Sequence, residues 1–221
     1  MLPLSTSNYH HGDLRSALLS ATAALLDDVG VEALSLREVS RRAGVSHAAA
    51  YNHFRDRAAL LRAFVDAAFA DFAAALFRAR DAADDPLDAL RRIGIAYVVF
   101  AHENRARFKL MFRPELTGLR TPDDPAGSPA FDVLVEGIDA ALRAGRIAGD
   151  PETLVRASWA IVHGLAALVV DGPTASFPKS SAGIARMTGG VLDVFIEGTR
   201  ARDPARRRKG SDAAATHERR T

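Results

Sequence analysis

His47, Ala48, Tyr51, Asn52 and His53 lie in one short stretch, offering hydrogen-bond donors, acceptors and a methyl group but no nucleophile beside a base. That chemistry suits recognition. Asn pairs with an adenine edge, an Ala methyl packs on a thymine methyl, and a surface of small or hydrogen-bonding residues suits a duplex major groove. Elsewhere histidines and carboxylates are scattered, with no nucleophile elbow, phosphate-binding glycine loop or HExxH pair. No catalytic residue is assigned, and the chain is not expected to be an enzyme. His10 and His11 are adjacent rather than helix-spaced, which argues against a shared metal site. No metal or cofactor is expected.

To enter a groove, such a set must ride on a short helix braced by another, and the flanking residues predict that arrangement. Ser35 followed by Glu38 is a capping box, with the hydroxyl and the carboxylate each taking an orphan amide at a helix start. Leu36, Val39 and Ala43 repeat at helical spacing, Gly44 supplies a left-handed stop, and Ser46 caps the next helix, which Phe54 anchors. The unit is a helix-turn-helix. His47, Ala48 and Asn52 are its expected base readers, which slightly favours A·T pairs in each half of a binding site.

An amphipathic first helix (Leu14, Leu18, Ala21, Leu25, Val29), the runs Gly30–Arg37 and Ala43–Ser46, and then Tyr51–Phe54 and Arg57–Leu61 extend the pattern. Over this stretch the sequence resembles the DNA-binding domain of the tetracycline-repressor (TetR) family of bacterial transcription regulators. The resemblance implies that Tyr51, His53 and Arg57 hold phosphates; Ser35, Arg37 and Ser46, near helix starts with free amides, suit phosphate as well. For His53 a structural place beside Phe54 stays open. Three positions depart from the family pattern: Ser40 replaces a small apolar residue, Ala49 lacks a hydroxyl, and Ala50 replaces a larger apolar side chain. Looser packing and one fewer phosphate contact are expected.

With 221 residues, 48% of them hydrophobic, the chain has room for a small domain and a larger one. No cysteine is present, which excludes disulfides and cysteine-ligated zinc. No apolar run of about eighteen residues and no leader pattern is found, so no membrane partner is expected and the location is read as cytoplasmic. The net charge of +2 is unevenly spread: from Arg200 onward eight basic residues face three acidic ones, leaving −3 for residues 1–199. Attraction to DNA must therefore come from local placement of Arg and His.

Periodicity and punctuation predict an all-α fold of about nine helices, with an N-terminal three-helix helix-turn-helix domain followed by a larger helical ligand-binding and dimerisation domain. The expected parts are a flexible arm at 1–12, the DNA-binding domain at 13–58, the regulatory domain at 59–200 and a disordered basic tail at 201–221. Asp56 should cap a long helix from Arg57 to Ala82, followed by helices over 87–103, a shorter one ending at Pro114, and others over 130–144, 152–170 and 182–199. Between them, Glu115–Pro129 is an expected mobile loop, and Gly145–Asp150 and Gly172–Lys179 are linkers.

Farther along, Ser158–Gly164 resembles the Trp…His-Gly signature of one C-terminal domain type in the same family, and His102–Phe112 resembles that type too. Trp159 and His163 share one helix face and either pack as ordinary core or line an effector cavity with Phe100, Phe108, Met111 and Phe112. Gly164 is expected to permit close helix approach. Apolar faces carrying Leu165, Val169, Val191, Leu192 and Phe195 are expected to form a dimer interface, as is usual in the family. The resemblance implies a homodimeric, ligand-responsive repressor of a palindromic operator, released by a largely apolar effector through the long helix from Arg57. Two alternatives stay open: a constitutive regulator without effector, and a helical small-molecule binding protein or enzyme retaining a DNA-binding-like N-terminus.

Overall fold

A serine or aspartate stands one residue ahead of most of the helices, and its side chain accepts an amide proton that the first turn cannot use. The caps are Ser35, Ser46, Asp56, Asp85, Asp150 and Ser180, with oxygen-to-amide distances of 2.6–3.2 Å. Their amide partners hold the carboxyls of Asp56 and Asp85 below the ordinary range, and the Thr153 hydroxyl and amide do the same for Asp150. In the computed structural model the described residues are 11–113, 129–172 and 177–200. Most of the arm, the loop at 115–128, the middle of the 172–179 linker and the basic tail lie outside the described residues.

Among the described residues nine helices follow in order: α1 His11–Val29, α2 Leu36–Arg42, α3 His47–His53, α4 Arg57–Asp81, α5 Pro86–Glu103, α6 Arg105–Met111, α7 Pro129–Arg143, α8 Pro151–Asp171 and α9 Ser181–Thr199. The first begins two residues before its expected start, so the end of the arm is helical. No strand is present among these residues; a single antiparallel bridge joins Ile147 to Arg200. α8 is long and apolar enough by composition to cross a bilayer, though its one long uninterrupted apolar run, Gly164–Val170, is far shorter than a span. Seven of its residues, from Leu154 to Val170, are buried in the protomer.

Apolar faces converge on three cores. The first joins Leu18, Leu25, Leu34, Leu36, Val39, Ala50 and Phe54 to Leu60, Leu61, Phe64 and Val65 of α4, so packing of the N-terminal unit runs past residue 58. A second, around Phe72, Tyr97, Val98, Phe108, Val162 and Ile184, holds α4, α5, α8 and α9 together. The third gathers Leu87, Ile138, Ile147 and Leu154 at the far end.

α6 belongs to two of them. Its Leu110, 2% exposed, enters the N-terminal core, while Phe108 and Met111 enter the central one. Polar contacts fix it as well: Arg105 donates to the Val169 carbonyl at 2.8 Å, Arg107 pairs with Asp71 at 2.8 Å and lies over the Phe64 ring, and Lys109 pairs with Asp171.

Two of the five expected interface residues are placed otherwise. Val169 and Leu192 are 1% and 5% exposed and lie in the protomer's own central core, where no partner can reach them. On these two helices the large apolar side chains left in water are Leu168, Val191 and Val194, with Leu165 and Phe195 half-buried beside them. Within the protomer the close helix approach expected at Gly164 is not made, since a Cβ there would meet nothing within 4 Å.

Candidate nucleic-acid interface and aromatic cluster

The α2–α3 unit is built from local signals. Ser35 Oγ accepts the Glu38 amide at 3.2 Å, yet the Glu38 carboxylate does not reach back; it pairs with Arg41, whose guanidinium lowers the carboxyl pKa. The capping box is thus half made, since an arginine one turn on competes for the carboxylate. Gly44 has φ +70°, the left-handed conformation that ends α2, and the Val45 amide closes onto the Ser40 carbonyl at 3.0 Å. The Ser40 side chain, 1% exposed, donates to the Leu36 carbonyl at 2.7 Å, so its hydroxyl is satisfied within its own helix.

Ser46 Oγ then accepts the Ala49 amide, Ala50 is fully buried and Phe54 closes the helix into the core. Anchoring on those two residues turns His47, Ala48, Tyr51 and Asn52 outward; they sit at i, i+1, i+4 and i+5, a single face of α3. Tyr51 is 55% exposed, unusual for so large a ring with nothing to cover it. Ser35 and Arg37 are exposed at the start of α2, and His53 is half-buried beside Phe54. Arg41, Arg42 and Arg55 are paired with Glu38, Asp28 and Asp56, whereas Arg37 has no ion-pair partner among the described residues.

Arg57 does not join this face. Its Nε donates to the Leu34 carbonyl at 2.8 Å and a terminal nitrogen to the Val31 carbonyl, so the guanidinium braces the α1–α2 loop from inside. A cation at the first turn of a helix is poorly placed with respect to that helix's dipole, and the two carbonyls compensate for it.

The six aromatic and sulfur residues of the second expected site divide. His163 is ringed by Phe112, Trp159 and Phe108, with centroids at 4.7, 5.8 and 5.9 Å, and Met111 is buried in the same core. Phe100 turns the other way, 5.0 Å from Phe72, and lines an open groove of about 400 Å³ between α4 and α5 with Ala75, Ala96, Val99 and the charged Arg78 and Glu103. Sequence reasoning missed Tyr97. Its ring is edge-on to Phe72, Phe108 and His163, and its hydroxyl lies 2.8 Å from His163 Nδ1. Burial pushes the Tyr97 hydroxyl well above its ordinary range and pushes His163 down, so both are neutral at neutral pH. The available signal was spacing: Tyr97 falls three residues before Phe100 on the helix expected over 87–103.

Two family models match the chain. Residues 18–64 match bacterial regulatory proteins of the tetR family, and residues 90–191 match a tetracyclin repressor-like C-terminal domain. An HTH-type transcriptional regulator of Mycobacterium tuberculosis is 33% identical over 125 residues, 56% of this chain and 53% of its own. The chain thus spans about half the length of the curated relatives it matches. A solved structure of a protein of unknown function from Rhodococcus sp. RHA1 is 33% identical, with a TM-score of 0.74 over 89% of this chain and all of that one. A TetR family transcription regulator from Marinobacter aquaeolei shares the fold, at 20% identity and a TM-score of 0.65 over 86% of this chain and 96% of its own.

Proposed function

Since the chain belongs to the TetR family of bacterial transcription regulators, which are not enzymes, we propose that it is a ligand-responsive repressor that binds a palindromic operator as a homodimer in the cytoplasm. The observation that carries this reading is the outward face of α3, four uncommitted side chains on a capped helix fixed at Ala50 and Phe54. His47, Ala48 and Asn52 read base edges. Tyr51 and His53 hold phosphates with Ser35, Arg37 and Ser46, while Arg57 keeps the α1–α2 loop in place behind them.

Dimerisation uses the exposed apolar stripe of α8 and α9, Leu168, Val191 and Val194 with Leu165 and Phe195, packed on its copy as a four-helix bundle. The effector sits against His163, Trp159 and Phe112 and acts on DNA affinity through α6 and α4, since these two helices contribute to both the aromatic cluster's core and the N-terminal core. Changing the separation of the two recognition helices then releases the operator. A second reading keeps DNA binding and drops the effector; the burial of Phe108 and Met111, 4% and 6% exposed, favours it.

Selection of bound duplexes from a random pool tests the proposal. The expected result is enrichment of a two-fold symmetric motif, bound by a dimer with affinity that falls steeply with salt as phosphate contacts release counterions. Recovery of no sequence preference would refute it. Loss of operator binding on adding a small molecule separates the responsive reading from the constitutive one.

A further inference from the structure

Tyr97 of α5 is 6% exposed, and its hydroxyl meets Nδ1 of His163 on α8 at 2.8 Å. A buried hydroxyl has one proton and must place it on an acceptor. Among the described residues Nδ1 is the one acceptor within hydrogen-bond reach of this hydroxyl. Were His163 to donate from Nδ1 instead, the hydroxyl's own proton would be stranded among the rings of Phe72 and Phe108. The proton therefore runs from Tyr97 to a bare Nδ1, and the neutral imidazole carries its own proton on Nε2. That nitrogen has no partner among the described residues, and His163 as a whole is half-buried.

We propose that Tyr97 is a positioning residue that holds His163 as its Nε2–H tautomer, so that this site selects apolar effectors bearing an uncharged hydrogen-bond acceptor, the carbonyl of a ketone, ester or amide. The inference rests on the reading of this cluster as the effector site. The rings around His163 are Tyr97, Phe108, Phe112 and Trp159, none of which bears a charge. A carboxylate would leave water for these rings and a single neutral donor, whereas a carbonyl gives up far less hydration. Ligands without an acceptor would leave Nε2–H unpaired in a site they had just dried, which costs affinity.

The test uses the full chain labelled with nitrogen-15. Long-range proton–nitrogen correlations of His163, assigned with His163→Gln, report the tautomer directly. Three probes of similar size are then titrated: 4-phenyl-2-butanone, butylbenzene and 4-phenylbutanoate. The unmutated protein should show a protonated Nε2, and Tyr97→Phe should give a tautomer mixture. The ketone should bind roughly three- to tenfold tighter than the hydrocarbon, the range of one net hydrogen bond, and Tyr97→Phe should bring that ratio towards one. A protonated Nδ1 in the unmutated chain overturns the positioning role whatever binds. Equal affinity for ketone and hydrocarbon, or tighter binding of the carboxylate, overturns the selection while leaving the effector site standing. If no probe shifts His163 or the Trp159 indole, the effector-site reading itself falls, and the selection falls with it.

Discussion

Tyr51 and Asn52 are neighbours on the outward face of α3, and their different chemistry separates their effects. Tyr51→Phe removes the hydroxyl proposed to hold phosphate and should weaken binding to all duplexes alike, whereas Asn52→Ala should cost about 1–3 kcal/mol at one base pair and change the preferred motif. Repeating the duplex selection with each variant distinguishes them; an unchanged motif with Asn52→Ala removes Asn52 from the readout. His163 gives a pH prediction. Burial lowers its folded pKa beneath the ordinary 6.5, so as pH falls through 6.5 the unfolded ring takes up a proton before the folded one does. Stability is therefore full above that value and declines below it. Urea unfolding at pH 7.5 and 5.5 should show a smaller decline for His163→Gln than for the parent; equal declines would contradict the assignment. At this scale the sequence was legible where a side chain acts on its own backbone, as with Ser46 or Gly44. It was opaque where the partner is distant: nothing near Arg57 announces that its guanidinium will be taken by the Val31 and Leu34 carbonyls, and nothing near His163 announces Tyr97.

Helices end and begin where glycine, serine and aspartate predict, and two glycines test opposite sides of that logic. Gly44 has φ +70° and open space within 4 Å of the position a methyl group would take, so the cost of Gly44→Ala is purely conformational, about 1–2 kcal/mol. Gly164 is helical and equally open, so Gly164→Ala should stabilise the protomer by roughly 0.5–1 kcal/mol through chain entropy. Thermal unfolding of the two variants should move in opposite directions; a destabilising Gly164→Ala would mean that a partner subunit packs against that position. Element boundaries lay close to their expected places because caps are local. Which stripe of an apolar helix faces home and which faces away was not legible, because α8 and α9 are apolar on both. Val169 and Leu192 satisfy the same periodicity as Leu168 and Val194, and only the direction of approach of α5 decides between them.

For the whole molecule, the charge division makes DNA binding depend on placement, which the proposed dimer would set. Leu168→Asp combined with Val194→Asp should give a folded monomer, because both side chains are exposed in the protomer, 51% and 77%, and the substitutions disturb no core. Sedimentation with an unchanged helical circular dichroism signal is the expected result; a persisting dimer would put the interface on another face. Fold class was legible at this scale from the absence of strand alternation and from the three-helix start, which short-range signals encode. How the two halves join was not, since besides the shared helix α4 it depends on a side chain from α6 whose partners are distant in sequence.

That side chain is Leu110. It fills the N-terminal core from the other half of the chain, and a fragment ending before α6 would keep the recognition helix but lose the plug beneath it, a gap on the scale of a buried Leu→Ala change at about 2–5 kcal/mol. Amides of α3 and of α5 should accordingly exchange with solvent through a shared opening rather than independently. A protease that clipped the chain between α5 and α6 should then leave a destabilised reading head behind, so that under the proposed function damage would silence the protein instead of freeing a fragment that occupies DNA without control.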